Sequence, residues 1–132
     1  MDRNLTLGHQ RQSRGGRVFI DWSLDACEVA GTIRAAADSL EPSRAVGFIN
    51  GIPVQVASAT SGGIRSAYAA GTLIRCDDEV WVQAGTGHVV IRQVIDAGGS
   101  AVDAAQFFME YGIAAGHCFD LPPADVRKVA AA

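Results

Sequence analysis

The side chains able to carry chemistry are few and scattered. Histidine occurs at His9, His88 and His117, and cysteine at Cys27, Cys76 and Cys118. A nucleophilic thiol needs a neighbouring base, and a structural zinc site needs several ligands that commonly come in close-spaced pairs. Only His117-Cys118 stands as a pair. Adjacent residues on an extended chain point to opposite sides, so a metal there would need further ligands from afar. No nucleophile beside a base, no paired carboxylates and no metal-ligand spacing can be assembled. The residues therefore predict no catalysis by this chain alone and no bound metal or cofactor. The cysteines, odd in number and singly placed, read as reduced thiols, with Cys27 and Cys76 as small semi-buried residues of a helix and a strand.

Charge is the second source of chemistry. The net formal charge is −3, yet Arg3, Arg11, Arg14 and Arg17 make the N-terminal segment basic while most carboxylates follow it. A basic arm on an acidic body lacks the continuous positive stripe that phosphate neutralisation requires, which disfavours RNA. Lys128 is the sole lysine; every other cation is arginine, the residue suited to planar contacts with carboxylates at protein interfaces. Two readings of the arm stand: a solvated terminus, or a docking segment using Arg11, Arg14 and Arg17. At 132 residues with 48% hydrophobic content, one core is expected. No apolar run is long enough for a membrane span and no secretory leader is read, so the expected compartment is the cytoplasm.

The elements that must position these groups follow from periodicity. Trp22, Ala26, Val29, Ile33 and Ala36 recur at helical spacing, which predicts a helix started by Ser23. Val46 and Phe48 alternate before Asn50-Gly51, and Ile52, Val54 and Val56 alternate after it, the signature of a two-residue hairpin with Pro53 near its turn. Thr60 to Ala70 reads as a loop with at most a short strand near Ile64 to Tyr68. Strands are expected at Thr72 to Arg75, Glu79 to Gln83 and His88 to Ile95, joined by turns too short for crossovers and so antiparallel. Ser100 with Asp103 predicts the start of a second helix carrying Val102, Ala105, Phe108 and Met109 and ending at Gly112. The fold class is mainly β: a small Greek-key barrel, open or closed, of the oligonucleotide-binding kind with two short helices.

Order and spacing carry a resemblance. Ile20-Asp21-Trp22 precedes a helix ending in Ile33-Arg34-Ala35, and a proline-containing turn then leads to a hairpin. Gly71, the acidic turn Asp77-Asp78, the apolar strand Val89 to Ile95, the pair Gly98-Gly99 and the helix Ala104-Ala105-Gln106-Phe107-Phe108 closing on Gly112 follow in turn. This pattern resembles the C-terminal domain of methionyl-tRNA formyltransferases and related formyltetrahydrofolate-dependent formyltransferases. The resemblance implies residues 1–17 in the place of an interdomain linker, a barrel domain over 18–112 and a tail over 113–132. It also implies that formyl transfer and formyltetrahydrofolate belong to a separate catalytic domain using Asn, His and Asp, of which these residues carry nothing, so no catalytic residue transfers.

Two functions are consistent with that pattern. In the first, the chain is a non-catalytic accessory or substrate-positioning subunit acting with a separately encoded catalytic chain. Its contacts would be Arg11, Arg14 and Arg17 and the tail residues Phe119, Leu121 and Val126, with Pro122-Pro123 holding the tail extended; the tail reads equally as a strap over its own barrel. In the second, it is an autonomous module binding a small anion or nucleic acid on a face bearing Trp81, Tyr68 and neighbouring arginines. Where tRNA-type members carry lysines on this domain, this chain does not, which disfavours tRNA as a partner.

Overall fold

A computed structural model of the protein describes residues 17–38 and 44–121. Arg11, Arg14, Pro122, Pro123 and Val126 lie outside the described residues, and of Arg17 the backbone is described. The elements in chain order are β1 (Arg17–Phe19), α1 (Ala26–Asp38), β2 (Arg44–Ile49), β3 (Ile52–Gly62), β4 (Leu73–Cys76), β5 (Val80–Gln83), β6 (His88–Ile95), β7 (Ala101–Asp103) and α2 (Ala104–Glu110). The fold is mainly β.

The predicted hairpin forms between β2 and β3. Ile49 pairs with Ile52 across a two-residue turn in which Asn50 has φ 54° and Gly51 φ 77°, the positive values that this tight turn demands and that Asn and Gly tolerate best. In register, Ala45, Gly47 and Ile49 face the core with Val56, Val54 and Ile52, while Val46 and Phe48 lie on the opposite face. β3 runs on to Gly62, well past the end expected from its alternation, because two compensating register shifts between Val56 and Ala59 break the period, and the inward side passes from Val54 and Val56 to Ala59. No strand occurs at Ile64 to Tyr68. β4, β5 and β6 pair antiparallel as expected, and β7 pairs with the end of β6. β1 is too short to show a period and was not anticipated; it pairs in parallel with β2, which the intervening helix α1 makes sterically accessible.

Both helices begin later than the sequence suggests. Asp25, not Ser23, caps α1: its carboxylate accepts from the Cys27 amide at 2.9 Å while Glu28 accepts from the Asp25 amide at 3.3 Å, a reciprocal capping box. The Ser23 hydroxyl instead donates to Asp21. Ala26, Val29, Ala30, Ile33 and Ala36 bury the expected face of α1, with Trp22 wholly enclosed ahead of it. In α2, Asp103 is the cap, accepting from the Gln106 amide at 3.2 Å, and Ala101 to Asp103 is strand, so Val102 packs from the sheet. Gly112, at φ 71°, ends α2, and the amide of Ile113 reaches back to the carbonyl of Phe108 at 2.9 Å, bringing two buried side chains together.

The expected barrel is not a closed ring of strands. The sheet order is β1-β2-β3-β6-β5-β4 with β7 on β6, leaving the outer edge of β4, and the end of β2 beyond its pairing with β1, unpaired by any named strand. Residues 116–120 cross that gap as a strap. The amides of Gly116 and Phe119 bond to the carbonyls of Leu73 and Gly71, the Leu73 amide bonds to the carbonyl of His117, and the Asp120 amide bonds to the carbonyl of Phe48, all at 2.8 Å. Phe119 is 1% exposed and stacks on Trp22 with ring centroids 4.7 Å apart. The expectation that Phe119 lies on a partner is thus corrected: an aromatic ring that fills the core between Trp22 and Phe108 is not available to another surface. Gly47 makes room for it, since a Cβ there would meet the Phe119 ring at 2.9 Å.

Phe119→Ala is expected to lower unfolding free energy by about 3–5 kcal/mol, the usual cost of emptying a buried aromatic position. Urea denaturation followed by the fluorescence of Trp22 and Trp81 measures it.

Candidate functional site

The outward face of β4, β5, β6 and the far half of β3 presents most of the polar chemistry. Cross-strand register sets Arg75 beside Trp81, Trp81 beside Val90, Gln83 beside His88 and Val90 beside Thr60. The Arg75 guanidinium lies 5.0 Å from the Trp81 ring centre, and Trp81 lies 4.5 Å from the His88 ring. This is the platform expected of a base- or anion-stacking module, but its positive charge is already matched. Arg75 contacts Asp77 at 2.7 Å, Asp78 at 2.8 Å and Glu79 at 3.4 Å, and Arg92 approaches Glu79 at 3.8 Å. Glu79 also accepts from the Trp81 indole at 2.9 Å. The hydrogen bond that Arg75 donates to Asp77 raises the Arg75 pKa further. In return, the Glu79 amide and Arg75 hold the Asp77 carboxyl down to about 2. Three carboxylates around two arginines leave no positive groove along this face.

Beside the platform, the segment from Gly63 to Ala70 forms an exposed loop tied down at two points. The Ile64 amide donates to Nδ1 of His88 at 3.0 Å, and the Ser66 hydroxyl donates to Gln83 at 2.6 Å. Gln83 is buried and donates in turn to the carbonyls of Ala84 and Gly87 at 2.9 Å. His88 is 6% exposed and sits directly against Gly62, where any Cβ would collide with the ring. Burial lowers its pKa below the ordinary 6.5, and because the Ile64 amide can only donate, Nδ1 is the acceptor and the neutral ring carries its proton on Nε2. Under the loop open two adjoining cavities of about 220 and 390 Å³, both reached by Arg65, Thr86 and Gly87.

Architecture and register agree with the sequence pattern, and a protein-family comparison completes the assignment: the model for the formyl transferase C-terminal domain matches residues 16–112. The chain belongs to that family. No curated protein matches it.

Within this formyl transferase C-terminal domain, the residues singled out from sequence fall in separate places. Leu121 follows the strap and is 38% exposed, whereas Phe119 is core. The strap itself, Gly116 to Asp120, lies beyond the family match and still completes the domain's interior. The pair His117-Cys118 is divided: His117 Nδ1 meets the Asn50 side-chain amide at 3.0 Å and the Ala114 amide at 3.2 Å, while Cys118 points to Thr72 at 3.7 Å. Cys76 is half-buried, its thiol pKa raised by burial and then by Asp77. Cys27, expected to be semi-buried, is exposed beside Ser61 at 3.6 Å, because it lies on the outer side of the first turn of α1. The loop groove was missed. Gly62-Gly63 marked a loop, but the pairing of that loop with buried His88 and Gln83 spans more than fifteen residues and leaves no local period.

With the folded pKa of His88 below 6.5, its contribution to stability is complete above 6.5 and is lost as pH falls below that value. The denaturation midpoint should therefore drop between about pH 8 and about pH 5, and His88→Gln, which keeps an acceptor but does not titrate, should flatten that slope. The Asp77 contribution lies in a separate window, present above 3.8 and lost toward about 2.

Proposed function

We propose that this chain is a non-catalytic accessory or substrate-positioning module for a formyltransferase-type catalytic domain that these 132 residues do not contain. The observation that carries the reading is the match of the formyl transferase C-terminal domain across residues 16–112. A domain of this family brings a rigid platform and no assembled nucleophile, so its contribution to formyl transfer is to hold and orient rather than to react. The formyl donor, formyltetrahydrofolate in the family pattern, is then bound by the catalytic partner in one-carbon metabolism, and the working compartment is the cytoplasm.

Contacts with that partner are assigned to Arg11, Arg14 and Arg17, which precede the domain's core in sequence, and to Leu121, which follows the strap. Arginines suit an acidic or hydrogen-bonding protein surface, since their fork pairs bidentately with carboxylates. tRNA fits less well: between Val18 and Leu121 there are twelve carboxylates against five arginines and no lysine.

Mixing the chain with a formyltransferase catalytic domain stripped of its own barrel should give a stoichiometric complex in analytical ultracentrifugation and raise kcat/KM for formyl transfer. Arg11→Glu with Arg14→Glu should weaken the complex about tenfold or more, as charge reversal at an interface does. A chain that remains alone both with such a domain and on purification from its own cell would refute the reading.

A further inference from the structure

We infer that the groove under the Gly63 to Ala70 loop is a binding site for a small oxyanion, a carboxylate or a phosphate, held by Arg65. This stands apart from the accessory reading and needs no partner. It also moves anion binding away from the Trp81 platform, where Asp77, Asp78 and Glu79 already surround Arg75.

Four observations support it. First, Arg65 reaches both adjoining cavities, and no carboxylate among the described residues pairs with it, in contrast to Arg75 and Arg92. Second, the backbone that carries it is held on either side by the bonds of Ile64 to His88 and of Ser66 to Gln83, both anchors being buried side chains, so the base of the Arg65 side chain is fixed. A pre-positioned donor loses less entropy on binding than one on a free loop. Third, Ser61 and Thr86 line the larger cavity with Arg65, which brings two hydroxyl-bearing residues, potential neutral donors, beside the charged one. Fourth, Gly63 lines the same cavity without a packing or backbone reason to be glycine: its φ is not positive and a Cβ there would meet nothing within 4 Å. Its lack of a side chain keeps the groove open.

Asp25 also lines the larger cavity, but its carboxylate is engaged with the Cys27 amide as the cap of α1. It sets a limit on charge: a small anion reaching Arg65 fits, and an extended polyanion crossing the groove would meet Asp25.

Amide shifts in two-dimensional NMR test the site with inorganic phosphate, acetate and neutral acetamide as probes. Phosphate, acetate or both should give saturable shifts centred on Ser61, Gly63, Arg65 and Thr86, and the tighter of the two identifies the ligand class, while acetamide should give none. Arg65→Gln should weaken anion binding at least about tenfold, the scale of one charge-assisted hydrogen bond. Gly63→Leu should block the groove by volume while leaving the thermal midpoint unchanged. Absence of saturable shifts with both anions, equal shifts with acetamide, undiminished binding by Arg65→Gln, or shifts centred on Arg75 and Trp81 would each overturn the assignment.

Discussion

The stacking of Phe119 on Trp22 is the contact on which the remainder of the domain depends. A seven-stranded sheet with short terminal strands cannot complete its own curvature, and the open side between β4 and β2 would expose Trp22, Phe108 and the floor of the core to water. The strap prevents this by pairing its backbone with β4 and with the end of β2 at once and driving one aromatic ring inward. The contact has a cost, because the Trp22 Nε1 group is enclosed without a hydrogen-bond partner among the described residues. Such a group opposes folding by roughly 1–3 kcal/mol. The burial of two large rings offsets that, and the bare backbone of Gly47 permits their approach.

Electrostatics then divides the surface by function. The acidic turn between β4 and β5 encloses Arg75 and reaches Arg92 through Glu79, so an aromatic strand face that would otherwise attract anions is internally neutralised. Salt links of this exposed kind add little stability, and their consequence is to determine what the face can recruit. The neighbouring loop follows the opposite rule. It is pinned by neutral hydrogen bonds to His88 and Gln83, and Arg65 within it lines two cavities without a carboxylate partner among the described residues. Protonation of His88 would remove the acceptor for Ile64, so loop position and the ionisation of one buried ring are linked.

Much of the architecture was readable because its causes are local. The face of α1, the Asn50-Gly51 hairpin, the antiparallel run from β4 to β6 and the glycine stop after α2 all arise from side-chain period or from dihedral preferences of single residues. Errors occurred where a local signal was ambiguous. Ser23 and Ser100 are good caps by type, yet Asp25 and Asp103 displaced them because the chain enters each helix later, after a turn in one case and a three-residue strand in the other. The register shifts in β3 break the alternation of its side chains, so the period alone does not mark where that strand ends.

By itself, the sequence determined the fold class, the family and the separation of a basic arm from an acidic body, since these depend on residue order, spacing and composition. Tertiary structure alone decided that Phe119 is core rather than contact, that the platform arginines are matched by acids and that the loop bearing Arg65 opens onto a groove. The physical reason is common to all three. Burial, ion pairing and cavity shape depend on which residues distant in the chain meet, and that information appears only once the sheet has curved and the strap has crossed it.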